Sequence, residues 1–484
     1  MMRGGPGCPM DSVPTAAKRP PVGVLTALAG LVLLGFVAMM LGLSYGGARL
    51  EGMAAPERAL ALVVSRSLDL DEAVARTPAW ERRLWGLVFN ERAEDLAEGV
   101  AWYAELAAIS LDALVDLHLA VLEAEAGQLE RLRRTLGEWR RRGEPFAVWA
   151  DLVSVAYLGA APDDQPAASA ALAAVRAGDW FTDRLALRWA TRAGDTWLTA
   201  AVAAELDARG RRVLDRMRWL VGSQAALLVV GGVALALLAW RRPARLGPSV
   251  LPPPWRGWDG ISVLVRGGAL AALLIVGVSL LAHGPAEGPW TRVALGTAVS
   301  LATVPLVALA RRRLLVPAGV GFRAGLGLAP VSGRSRALVP VTLALLAAGA
   351  LGEVGLGLVA RGLGVAAHWS EWFDPELAWG TTPILAATLA DVVILTPVLE
   401  EIVFRGLLFA TLRRRLPLAA AAPASAVVFA LAYGYGLLGF LAVFWSGLLW
   451  AVAYEKTGSL LPSIAAHAVD NLGASLSVVL ALRG

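Results

Sequence analysis

The sequence is poor in the residues that staple small folds together. It holds a single cysteine, Cys8, so it can form neither an internal disulfide nor a cysteine-based zinc site. Cys8 also precedes the first apolar run, which argues against a cleaved lipoprotein signal. Histidine is scarce: His118, His283, His368 and His467 are the four in the chain. Charged residues make up only 17%, against about a quarter in ordinary soluble domains. Over residues 48–217 strand signals are nearly absent. What fills the chain is apolar, with 57% hydrophobic residues and a mean hydropathy of +0.60. Long apolar stretches with few charges read as transmembrane helices, so an ordinary soluble globular protein is excluded.

The net charge of +5 is informative by its placement. Arginines cluster at the ends of apolar runs, the pattern of loops retained on the cytoplasmic side of a membrane. The basic balance is thereby explained without nucleic acid, and no nucleic-acid partner is expected. The Ala-, Arg- and Gly-rich composition is associated with a high-GC bacterial source, which makes the inner membrane the expected location.

The fold class expected is all-α: a polytopic transmembrane bundle with an inserted helical soluble domain. Residues 1–20 read as a disordered tail and 21–44 as an uncleaved transmembrane anchor, with Gly46-Gly47-Ala48 a weak cleavage candidate. Residues 48–217 carry frequent charges, eight tryptophans with Trp219 following just beyond, and apolar residues at helical spacing such as Leu106, Ile109, Leu114, Leu117 and Val121. They read as a soluble domain of helical hairpins, suited to capture of a protein partner or substrate. A second span is expected over 219–240, a linker over 241–260, and a polytopic membrane domain over 261–484. Counting runs gives nine spans. If each run crosses once, Arg311–Arg313 and Arg413–Arg415 share a side, and the Trp-rich 361–380 stretch lies on the other.

Within the run that begins near Pro383 stand Glu400, Glu401 and Arg405. Ionisable residues at membrane depth are rare and mark function by default. Glu401 and Arg405, spaced i,i+4, share a helix face and can pair. Glu400 lies about 100° round the helix and can point elsewhere. Pro397 removes a backbone donor just before the cluster and favours a kink. Two readings stand at this point: a structural ion pair, or a carboxylate placed as a general base. The last run holds His467 and Asn471, also i,i+4, which can orient water, bind a metal or donate to an oxyanion. Between them Phe429 and Tyr433 share a face. Packing alone would explain that pair.

These three segments together resemble the CAAX-protease and bacteriocin-processing (CPBP) family of intramembrane proteases, over about residues 335–482. The family's Glu-Glu-x-x-x-Arg motif is complete in Glu400, Glu401 and Arg405, and its His-x-x-x-Asn motif in His467 and Asn471. Tyr454-Glu455-Lys456-Thr457-Gly458-Ser459-Leu460 is similar to the family as well. The second motif, Phe-x-x-x-His, departs: Phe429 is present, but Tyr433 stands where the family has histidine. The resemblance implies hydrolysis of a peptide bond in a membrane-associated protein or peptide. Glu400 would activate water, and His467 and Asn471 would hold the oxyanion. Glu401, Arg405, Tyr433 and Phe429 would support them. It also implies that Glu400, Tyr433 and His467 converge. A zinc-type version would use Glu400 and His467, but a phenol with an ordinary pKa of about 10 is a poor third ligand. A catalytically impaired relative acting as a membrane scaffold is the alternative the tyrosine raises, and a transporter lined by Asp391 and Glu353 is a third reading.

Overall fold

The computed structural model describes residues 23–45, 50, 53–89, 91–160, 165–241, 247, 251–282, 288–331 and 333–483. The expected tail, Cys8, Gly46-Gly47-Ala48, His283 and part of the 241–260 linker lie outside them. Helices are the regular elements throughout the described residues. We label them α1 (Val24–Tyr45), α2 (Pro56–Ala75), α3 (Ala79–Val88), α4 (Arg92–Ala107), α5 (Ala113–Glu125), α6 (Leu129–Arg142), α7 (Phe146–Val153), α8 (Gln165–Val175), α9 (Trp180–Ala193), α10 (Thr196–Arg241) and α11 (Gly257–Ala282). Then follow α12 (Pro289–Leu315), α13 (Leu338–Gly362), α14 (Thr382–Leu412), α15 (Leu418–Tyr433), α16 (Leu437–Thr457) and α17 (Leu461–Leu482).

Local chemistry sets the boundaries. Proline occupies the first turn of α2, α12, α14 and α17, where its missing N–H costs nothing. Gly434 and Gly458, at φ 64° and 65°, end α15 and α16 in the left-handed conformation. Asp112 and Asp179 accept from backbone N–H groups at the starts of α5 and α9.

Among the described residues, eight helices are long and apolar enough to cross a membrane: α1, α10, α11, α12, α13, α14, α16 and α17. The protein is an all-α, multi-pass integral membrane protein. The ninth expected run, α15, has 16 residues, which rise about 24 Å and fall short of a hydrocarbon core of about 30 Å. Successive helices alternate in direction. At one end Arg413 binds Glu455 through two hydrogen bonds of 3.0 Å, and Leu460 N–H donates to the Gly327 carbonyl at 3.1 Å. Both basic triplets lie at this end. At the other, Arg292 binds Glu376 at 2.6 Å and Arg483 donates to the Leu377 carbonyl at 3.2 Å.

Helices α2–α9 and the first half of α10 form a helical cap on that second end. Its core of Leu60, Tyr103, Leu122, Trp180, Phe181 and Trp189 is continuous with Trp369, Phe373, Val478 and Leu482 of the membrane bundle. Helix α10 runs unbroken from the cap core into the bundle, through the position at 217–219 where the sequence suggests a boundary. There it lies close along α13. A Cβ on Gly231 would sit 2.3 Å from the Leu343 carbonyl oxygen, the small-residue contact that lets membrane helices approach. A cavity of about 610 Å³ lies in the seam between cap and bundle, lined by Val64, Glu98, Trp102, Met217, Arg361 and Trp372 among others.

Candidate active site

The backbone of α14 is irregular where the chemistry sits. It winds as a π-helix over Asp391–Leu395, as a short α-turn over Thr396–Glu400, and as a π-helix again over Glu401–Phe409. Such turns recur at functional sites because they re-aim side chains. The cause of the first is legible in the contacts. Thr396 N–H bonds back five residues to the Asp391 carbonyl. In the same register residue 397 would bond to Val392, but it is proline and has no N–H. The Val392 carbonyl instead accepts from Asn471 Nδ2 at 2.7 Å. Ser425 Oγ donates to the Phe404 carbonyl in the second π-helix at 3.0 Å.

This frame presents Glu400 and Glu401 in different directions. Tyr433 Oη donates to Glu400 Oε2 at 2.8 Å. His467 Nε2 lies 3.6 Å from the same oxygen. Glu401 is fully buried, and its Oε1 accepts from Arg405 Nη1 at 2.7 Å and lies 3.3 Å from His467 Nδ1. A carboxylate held by an arginine can only accept, so Nδ1 of His467 carries the hydrogen and Nε2 is the nitrogen turned to Glu400. The result is one chain of contacts, Arg405–Glu401–His467–Glu400–Tyr433, drawn from three helices. The expected convergence of Glu400, Tyr433 and His467 is met.

Aromatic rings wall the chain. The Arg405 guanidinium sits 4.0 Å over Phe429 and 4.9 Å over Trp450, and Trp450 stacks on His467 at 4.3 Å. Phe429 also meets Tyr433 edge-on at 5.2 Å. Cation–π contact offsets part of the cost of burying Arg405, whose Nε and Nη2 have no hydrogen-bond partner among the described residues. Gly447 makes the room: a Cβ there would lie 2.9 Å from Arg405 Nη2. The sequence reading missed Trp450 and Gly447. Their spacing, i and i+3 on α16, was the available signal, but an apolar run hides it. Asn471 stands one turn beyond His467 with one amide hydrogen committed to Val392. His118 and His368 lie in or against the cap, bonded to Tyr103 and Glu105.

A zinc site needs at least three good protein ligands. Here Tyr433 spends its hydrogen on Glu400 and is a neutral phenol, and Glu401 is tied to Arg405. No group of three or more His, Cys, Asp or Glu with metal-binding geometry occurs among the described residues. Glu400 and His467 alone do not fit a zinc ion.

Residues 382–473 match the family model of type II CAAX prenyl endopeptidases, Rce1-like. The match runs from the start of α14 into α17 and takes in all seven site residues expected from the sequence. It agrees with the CPBP resemblance: this stretch is similar to the membrane domain of CAAX-type endopeptidases. No curated protein and no solved structure matches the chain.

Proposed function

We propose that the protein is an intramembrane endopeptidase in which Glu400 activates water against a peptide bond of a membrane-associated protein or peptide. The observation that carries this reading is the placement of Tyr433 Oη and His467 Nε2 on one oxygen of Glu400, at 2.8 and 3.6 Å. Glu400 takes a proton as the water oxygen bonds to the scissile carbonyl carbon, and the carbonyl electrons move to oxygen. The remaining amide hydrogen of Asn471 donates to that oxyanion, and His467 joins it whenever Nε2 carries a second hydrogen. When the C–N bond breaks, Glu400 returns the proton to the departing amine. Glu401, held by Arg405, keeps the Nδ1 side of His467 and so fixes the orientation of the ring.

The second reading, a catalytically impaired scaffold, draws on the same contact. The Tyr433 hydroxyl occupies the oxygen of Glu400 that faces His467, where the family's histidine would itself serve as base. Co-reconstitution with a membrane-anchored substrate separates the two. For the protease, Glu400→Gln abolishes cleavage while the protein accumulates normally, and a chelator changes nothing. Equal cleavage by both proteins would sink the assignment. An inert wild type that gains cleavage on Tyr433→His would establish the scaffold.

A further inference from the structure

Helix α3 carries an apolar stripe that the rest of the protein leaves bare. Trp80, Leu84, Leu87 and Val88 recur at i, i+4, i+7 and i+8 and so share one face. Each is more than half exposed, from 52% at Val88 to 64% at Trp80. The opposite face is in use: Trp85 is buried among Val213, Leu214 and Met217 of α10. Other exposed apolar residues of the cap, such as Leu111 and Trp197, lie away from this helix, and a contiguous bare apolar face of this kind marks an interaction surface.

Two anchors fix the height of this helix. Near its start, Glu81 accepts from Arg218 of α10 at 2.8 and 3.1 Å. The next residue on α10, Trp219, is 82% exposed and opens the apolar part of that helix, which closes at Trp240, 85% exposed. Twenty-one residues of helix rise about 31 Å, the thickness of a bilayer's hydrocarbon core. Tryptophans at both ends are where an aromatic belt places them. At its far end, α3 presents the carbonyls of Gly86, Leu87 and Phe89 to the Arg361 guanidinium, at 2.8 to 3.3 Å. Arg361 stands in the last turn of α13, another spanning helix, beside exposed Leu358, Val359 and Leu363. The stripe on α3 is thus continuous with the lipid-facing surface of α10 and α13, and exposed Arg83 borders it.

We infer that α3 is an interfacial helix lying in the leaflet at the cap end, with Trp80, Leu84, Leu87 and Val88 among the lipids at the headgroup–acyl boundary. Its apolar face and flanking arginine suit that boundary, where such helices sit about 5–10 Å deep. Continuity with two spans selects lipid over a second copy of the chain. The inference is independent of any proteolytic activity.

The test uses the full chain in nanodiscs of phosphatidylcholine and phosphatidylglycerol, with Cys8→Ser as background. Leu84→Cys and Leu87→Cys each receive a nitroxide label, and Glu130→Cys on the outer face of α6 is the aqueous reference. Collision with oxygen and with a water-soluble nickel chelate is read by electron spin resonance. Labels at 84 and 87 should favour oxygen several-fold over the reference. Values equal to the reference overturn the inference. So does protection that fades when the protein is diluted at constant lipid, which would assign the stripe to a second copy.

Discussion

At Glu401 one oxygen serves both Arg405 and His467, so the residue that the sequence offers as half of an ion pair also orients the histidine. That double use was not legible, because Glu401 and His467 lie 66 residues apart and no spacing rule links them. The pairing with Arg405 was legible from i,i+4 alone. The pocket that accepts Arg405 is equally particular. With the guanidinium held between Phe429 and Trp450, it cannot yield to a methyl group at residue 447. Gly447→Ala should therefore cost about 1–3 kcal/mol, as overpacking does, and lower the melting temperature of the detergent-solubilised protein. An unchanged melting temperature would mean that the arginine moves freely.

Among the elements, α14 shows where pattern reading stops. Its apolar run and Pro397 predict a kinked span, and what stands there is two π-helical stretches flanking Thr396–Glu400. The partner that repairs it is Asn471, from the far end of the chain, and no local signal points from one to the other. A double-mutant cycle isolates the repair. Asn471→Ala leaves the Val392 carbonyl unpaired and should cost about 1–3 kcal/mol. In a Pro397→Ala background the restored N–H takes that carbonyl, so the same substitution should cost much less. Equal losses in both backgrounds, measured by thermal melting, would refute the account. Helix α10 is the opposite case. Its sequence shifts from charged to apolar at Trp219, which looks like a boundary, yet nothing there breaks a helix. Neither proline nor a glycine pair stands at the junction.

Across the whole molecule, burial raises the proton affinity of carboxyl groups in the cap: Glu98 lines its seam with the bundle, and Asp71 lies near Asp95 and Arg92 within the cap. Burial first, then Asp95, pushes Asp71 up to about 8. Burial, with Asp95 and Glu94 close by, pushes Glu98 up to about 7. In the unfolded chain both groups release their protons near pH 4. The folded form therefore holds protons the unfolded form has lost, and the stability these groups contribute, complete below about pH 4, is lost as pH rises through about 8. The melting temperature should fall between pH 5 and pH 8, and Asp71→Asn should flatten that fall. A parallel decline in the variant would show that Asp71 is not the source. The seam also has a mechanical side. Because α10 is a single rod, the cap has no hinge on which to swing independently of the helix that lies along α13. A molecule that grips the cap from outside holds a lever: turning the cap turns α10 with it, and the bundle feels the torque without being touched.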